Sequence, residues 1–231
     1  MKTVYVFLHC TLISLFMFYA SHRISLLPTL SRSSLRLRAS LPGRFLTNPA
    51  ATPIMANAEQ QNEPPLSAKD FKIYNRAAEQ MEYYHGLLRL SWNMLWEAST
   101  SGRLPPYMKM RQFITEGLRF AQHLEIHHSI EENHVFPHLA KKMPEFRTGR
   151  GRQAAELLRQ HRQIHKGLEE FQKYLEECQE GKQELEFDVL RGKMEGWREV
   201  LWTHLDQEVK TLGAENMRRY WTKEEMPRIP M

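Results

Sequence analysis

Four stretches of this chain carry apolar residues spaced alternately three and four positions apart. That spacing forms one stripe along a helix, the face that a helix buries when it packs against other helices. After residue 65, no stretch shows the strict alternation or the Val, Ile and Thr enrichment of β-strands. The sequence therefore predicts an all-α fold. The stripe in the first stretch consists of Tyr74, Ala78, Met81, His85, Leu88, Trp92 and Leu95.

Helix start and stop signals divide the chain into four predicted helices. Ser67 is a candidate N-cap, with Asp70 three residues later. Glycines and prolines break the chain at STSGRLPP (99–106), PEFRTGRGR (144–152) and EGKQ (180–183). Short connections join antiparallel neighbours, so we expect an up-down-up-down antiparallel four-helix bundle. The predicted helices lie near residues 68–98, 107–141, 152–179 and 185–212.

The positive charge of the chain is confined to its beginning. The formal net charge is +5, yet residues 1–58 contain six Lys and Arg residues and no acid. The remaining residues carry 26 basic and 27 acidic side chains and are close to neutral. Nothing in this part of the chain indicates binding to nucleic acid or another polyanion.

The first 65 residues differ in composition from the helical domain, which we place at 66–231 with a short C-terminal tail. Residues 4–20 contain no charged side chain and fall short of the about 20 apolar residues that span a membrane. The Arg- and Ser-rich segment that follows is typical of a transit peptide. We therefore expect residues 1–65 to be a largely disordered targeting or anchor segment, or a non-native extension if translation starts at Met55. The second alternative predicts a cytoplasmic protein, and the first a mitochondrial, secretory or membrane-anchored one.

Each of the four apolar stripes is interrupted by histidine or glutamate. Three of the interruptions contain pairs four residues apart, a spacing that places both side chains on one helix face. A buried carboxylate without a partner is costly unless it is paired or bound to metal. Imidazole and carboxylate together suit iron above all, and also Mn or Zn, in a set too large for one tetrahedral zinc. We predict two metal ions, with the ligands His85, His127, Glu131, His161, His165, His204 and Glu208.

These motifs resemble the hemerythrin-like, or HHE cation-binding, domain. The resemblance covers about residues 68–220, and its segments are MEYYHGLLR, HHSIEENHVFP, HRQIHKGLEEF and WTHLDQEVKTL. It implies a di-iron site inside a helical bundle, with an open position for dioxygen. Oxygen-carrying members use Asp with one extra residue of spacing on the last helix, whereas this chain has Glu208 four residues after His204. The resemblance implies that Glu131 and Glu208 bridge the two ions, that His161, His165 and His204 complete one of them, and that His85 and His127 hold the other.

The histidine ligand on the second helix can be either of two adjacent residues. The H-x3-E spacing followed by proline favours His127 with Glu131, but His128 lies closer to the apolar stripe and has Glu132 four residues after it. Three other histidines are expected to lie beside the site or to face solvent. They are His123, His134 and His138.

Three functions are compatible with the sequence. The favoured one is a non-enzymatic di-iron protein that binds dioxygen, or holds or senses iron, because no additional acid–base group lies on the stripes. The second is a di-iron oxidoreductase acting on peroxide, nitric oxide or oxygen, since an open metal position allows redox chemistry. The third is a helical interaction module in which metal is incidental.

Overall fold

The computed structural model describes residues 64–147 and 154–231, without the side chains of residues 154 and 155. The targeting or extension segment predicted at residues 1–65 lies outside the described residues except for its last two positions. The described part of the chain is helical and contains no strand, which confirms the all-α class. The helices are α1 (Ala68–Tyr74), α2 (Arg76–Ser101), α3 (Met110–Ile130), α4 (Phe136–Leu139), α5 (Ala154–Gln179), α6 (Phe187–Thr211) and α7 (Ala214–Tyr220).

Four long helices, α2, α3, α5 and α6, correspond to the four predicted ones. Both α2 and α5 pack against α3 and α6, so each long helix has two long neighbours. The first predicted helix is divided at Asn75, which caps the end of α1. The Asn75 side chain accepts a hydrogen bond from the backbone N–H of Ala214 at 3.3 Å. Through this hydrogen bond, the residue between α1 and α2 holds the backbone at the start of α7.

The predicted helix ends are held by the residues that the sequence indicated. The Ser67 hydroxyl accepts a hydrogen bond from the backbone N–H of Asp70 at 3.1 Å, as an N-cap does. Gly102 ends α2 with φ 66°, and Gly181 follows α5 with φ 76°. Both glycines adopt the left-handed conformation that ends helices and that other residues adopt at a cost.

The apolar stripes form two separate clusters of buried side chains. One cluster surrounds Trp92, Phe120, Phe171 and Trp197, and the other contains residues such as Met81, Leu139, Leu157 and Met217. Along each long helix, the histidines and glutamates lie between these clusters. On α2, for example, His85 lies between Met81 of one cluster and Leu88 of the other. The fold therefore places a polar layer between two apolar ones.

A π-helical turn, Glu131–Val135, connects α3 to α4. The backbone N–H of Phe136 donates to the carbonyl of Glu131, five residues earlier. Pro137 follows, and proline cannot donate a hydrogen bond to the preceding turn. Single π turns inside α-helices are frequently found at functional sites. This one begins at a predicted metal ligand, Glu131.

The C-terminal segment is packed rather than a simple tail. Trp221, Met226 and Ile229 are buried in the same cluster as Met81. The Lys142 ammonium donates to both carboxylate oxygens of Glu225 at 2.7 Å and attaches this segment to the turn after α4. None of the helices in the described residues is both long and apolar enough to cross a membrane.

Candidate metal centre

The polar layer contains two groups of side chains whose donor atoms converge. In each group the donor atoms lie within 4.8 Å of one another. Glu131 belongs to both groups, because its carboxylate lies between them. The first group consists of His128, Glu131, His161 and His204, and the second of His85, His127, Glu131 and Glu208.

In the first group, α5 and α6 bring two imidazoles together. His161 Nε2 lies 3.1 Å from His204 Nε2. Glu131 Oε2 lies 3.4 Å from His161 Nε2. Both imidazoles are fully buried, so their nitrogens have no access to solvent.

The second group joins α2 and α3 in the same way. His85 Nε2 lies 3.1 Å from His127 Nε2, and Glu131 Oε1 lies 2.9 Å from the same His127 nitrogen. Glu208 Oε2 is 3.5 Å from His85 Nε2 and 3.6 Å from His204 Nε2, so it lies between the two groups. The two oxygens of Glu131 therefore face different groups, and one oxygen of Glu208 is nearly equidistant from both.

These contacts have the geometry of a ligand set. Two nitrogens at right angles and about 2.1 Å from one ion are about 3.0 Å apart, close to both observed nitrogen–nitrogen distances. Nδ1 of both His161 and His204 donates elsewhere, so without an ion their two Nε2 lone pairs face each other and repel. The carboxylate oxygens of Glu131 and Glu208 are buried and have no hydrogen bond of acceptable geometry in the described structure. Unsatisfied buried carboxylates are strongly disfavoured, so the residues present fit cations.

The outer nitrogens of three histidines donate hydrogen bonds away from the layer. His161 Nδ1 donates to Glu132 Oε1 at 2.7 Å, and His85 Nδ1 donates to the carbonyl of Leu205 at 3.1 Å. His204 Nδ1 donates to the Gln160 side-chain oxygen at 3.3 Å. Each bond leaves Nε2 without a proton and free to bind a cation. Hydrogen bonds of this kind orient metal-ligating histidines and strengthen them as donors.

Burial keeps the imidazoles of His85, His128 and His204 neutral. Burial, with the neighbouring His127, lowers the pKa of His85 to about 3. Burial together with His161 also holds the pKa values of His128 and His204 well below the ordinary value. Neutral imidazole is the form that binds metal. At neutral pH no proton competes for these nitrogens.

The pKa values of the two carboxylates are shifted in opposite directions. Burial raises the pKa of Glu208, and the charge of Glu131 raises it further. Burial alone would also raise the pKa of Glu131, but His127 and other imidazoles around it bring that pKa well below its usual value. Two buried carboxylates this close cannot both be ionised cheaply without a cation between them.

The structure brings six of the seven predicted ligands into the two groups. His165 lies outside both, partly buried, with its ring centre 6.4 Å from that of His161. His128, the alternative to His127, is fully buried inside the first group, while His127 takes part in the second. The sequence pattern treated these two histidines as alternatives. Their placement on both sides of the α3 stripe shows that both can face the layer.

The sequence offered Glu132 only as the partner of the alternative ligand His128, not as a partner of His161. Its carboxylate accepts from His161 although the side chain is partly exposed. No sequence signal indicates this contact with His161, because it joins α5 to the π turn, 29 residues apart in the chain.

An all-helical protein with a buried layer of histidines and glutamates defines a class of cation-binding bundles. The family model described as the hemerythrin HHE cation-binding domain matches residues 76–214 of this chain. The match covers more than half of the chain and includes every residue of the two groups. The chain belongs to this family. Comparisons with curated proteins and with solved structures gave no match.

Proposed function

We propose that this protein binds two iron ions in its polar layer and is a non-enzymatic protein that binds dioxygen, or holds or senses iron. The observation that carries the proposal is the pair of converging donor groups that share Glu131. The packing of α2 and α5 against both α3 and α6 supports an up-down bundle around them.

Each proposed ion has its own imidazoles and two shared carboxylates. His85 and His127 would hold one ion, and His161 and His204 the other. Glu131 would bridge the two, because its oxygens face different groups. Glu208 would also contact both, since Oε2 lies between His85 and His204. A bound pair of iron ions supplies reversible redox chemistry and an affinity for dioxygen.

The composition of the layer supports binding rather than catalysis. Within the described residues, the imidazoles and carboxylates of the two groups all converge as donors, so none of these residues stands apart as a separate acid or base. The outer nitrogens are engaged by Leu205, Gln160 and Glu132, which orient the imidazoles. The protein contribution is therefore to hold the ions in a buried site that limits access of water.

An optical experiment tests this proposal. The protein is loaded with ferrous iron without oxygen, its visible spectrum is recorded, air is admitted, and oxygen is then removed. We expect a charge-transfer band that appears with air and fades on deoxygenation if dioxygen is bound reversibly, or a stable iron content without the band if iron is held or sensed.

Controls separate this function from the alternatives. Catalytic turnover of peroxide, nitric oxide or oxygen with a supplied reductant would identify an oxidoreductase instead. A protein that binds no iron would contradict the proposal altogether. The variant His134→Gln is a matched control, because His134 is exposed and lies one helical turn from the layer residue Glu131.

A further inference from the structure

His128 has the surroundings of a metal ligand. Its side chain is 0 % exposed, and neither ring nitrogen has a hydrogen-bond partner in the described structure. A buried imidazole without partners costs on the order of 1–3 kcal/mol. One of its nitrogens lies within 4.8 Å of the donor atoms of Glu131, His161 and His204. A cation at that position would satisfy the nitrogen that the protein leaves without a partner.

The ring of His128 is held in place by other members of the first group. It stacks on the ring of His161 with centres 3.9 Å apart and planes 11° apart. It meets the ring of His204 edge-on, with centres 5.4 Å apart. The imidazole is therefore fixed beside two of the proposed ligands.

His165 also meets the ring of His128 edge-on, with centres 5.2 Å apart, but it is neither fully buried nor convergent with the other donors. It is partly buried and lies outside both convergent groups. On α5, the buried stripe contains Leu157, His161, Ile164 and Leu168. At 100° per residue, His165 lies roughly 70° from the centre of that stripe. Its position places it at the edge of the layer, beside the ring of His128, rather than among the converging donor atoms.

The geometry of α3 explains how adjacent histidines can serve two ions. Residues 127 and 128 are separated by 100° around the helix axis and lie on opposite sides of the stripe through Phe120 and Leu124. His127 reaches the second group and His128 the first. The adjacent histidines on α3 can therefore supply the additional imidazole that the second histidine of the H-x3-H pair on α5 would otherwise supply.

We propose that His128, and not His165, supplies the remaining imidazole ligand of the iron held by His161 and His204. This assignment rests on the proposed iron site. It moves one ligand from α5 to α3, so that α3 and the π turn together supply three ligands, His127, His128 and Glu131.

The test compares the variants His128→Leu and His165→Leu with the unmodified full chain. Each protein is loaded anaerobically with ferrous iron and freed of excess metal. Iron per chain and the melting temperature with and without iron are then measured. Circular dichroism of the metal-free proteins establishes that each variant is folded.

We expect His128→Leu to lose half or more of the bound iron, and most of the rise in melting temperature that iron produces. Its metal-free form should melt at or above the temperature of the unmodified protein, because an unpartnered imidazole is replaced by an apolar side chain. His165→Leu should keep the iron content and the iron-dependent rise. If His128→Leu does not fold, His128→Gln provides the same comparison with a polar side chain of similar size.

Three outcomes overturn the assignment. One is iron loss in His165→Leu but not in His128→Leu, which leaves the proposed iron function intact. The second is iron loss in both variants or in neither. The third is an unmodified protein that binds no iron, which also overturns the proposed function, so the two failures are distinguished by the unmodified chain.

Discussion

Because α5 and α6 approach each other closely at Gly167, we expect a methyl group added there to destabilise the protein. A Cβ atom added at Gly167 would lie 2.3 Å from Cγ, 2.4 Å from Cδ1 and 2.7 Å from Cβ of Trp197. Carbon atoms do not approach this closely. Gly167→Ala therefore requires Trp197 or the helices themselves to move.

Trp197 has little freedom to move. Its ring lies edge-on to Trp92 with centres 4.8 Å apart and also contacts Phe120 and Phe171. Its indole N–H donates to the carbonyl of Lys193 at 2.8 Å. One of the colliding atoms is its Cβ, which moves only with the backbone of α6.

The expected change in the free energy of unfolding on Gly167→Ala combines two opposing effects. Overpacking a rigid core costs typically about 1–3 kcal/mol, and the locked ring places Gly167→Ala near the upper end. Alanine recovers about 1 kcal/mol relative to glycine inside a helix. The net loss is about 2 kcal/mol in the free energy of unfolding, or roughly 4–8 °C in the melting temperature of a domain this size.

Gly196→Ala is the matched control. Gly196 lies beside Trp197 on α6, but nothing lies within 4 Å of an added Cβ there. The higher helix propensity of alanine alone should raise the free energy of unfolding by about 0.5–1 kcal/mol. Calorimetry or thermal circular dichroism of the metal-free proteins measures both. A Gly167→Ala variant as stable as the unmodified protein would refute the close packing that holds His161 beside His204.

Three further perturbations have defined outcomes. Glu208→Gln should raise the melting temperature of the metal-free protein by about 2–4 °C, because it removes a buried carboxylate beside Glu131, a gain of roughly 1 kcal/mol. It should abolish the stabilisation by iron, about 4 kcal/mol at a thousandfold excess over Kd, and scanning calorimetry with and without metal shows both effects. Glu132→Gln should weaken iron binding about 10- to 100-fold with little effect on folding, since the carboxylate orients His161 from outside; competition with a chelator measures this, and unchanged affinity would exclude the role. Glu225→Gln should lower the melting temperature at pH 7, and the deficit should vanish in acid. Lys142 holds the pKa of Glu225 below its ordinary 4.5, so the stabilisation is present above that value and is lost as the pH falls through the folded pKa; a deficit independent of pH from 7 to 3 would contradict this.

The sequence predicted the long helices and the layer because both depend on local periodicity. An apolar stripe must be buried, and the polar positions within it must then be buried as well. His85, His161, His204, Glu131 and Glu208 are all buried, as that reasoning requires. These residues could therefore be identified without knowing how the helices are arranged.

The rotation of each helix about its axis could not be derived in the same way. Periodicity locates a stripe to within about one residue, which is the difference between His127 and His128 on α3. The H-x3-H spacing predicted that His165 faces inward, but the orientation of α5 is set by its contacts with α3 and α6. Such contacts join residues far apart in the chain and leave no local pattern.

The C-terminal segment illustrates the same limit. Trp221, Met226 and Ile229 have no helical repeat, so the sequence predicts only a short tail there. They are buried because they cover the apolar cluster at one end of the long helices. That cluster includes Met81 and Leu139, which belong to distant parts of the chain.

Anomalous diffraction at the iron absorption edge, from crystals of the iron-loaded protein, tests the central claim most directly. We expect two peaks inside the polar layer, one beside His85 and His127 and the other beside His161 and His204, with Glu131 between them. A single peak, or peaks only at exposed histidines such as His134, would contradict a paired iron site in the polar layer.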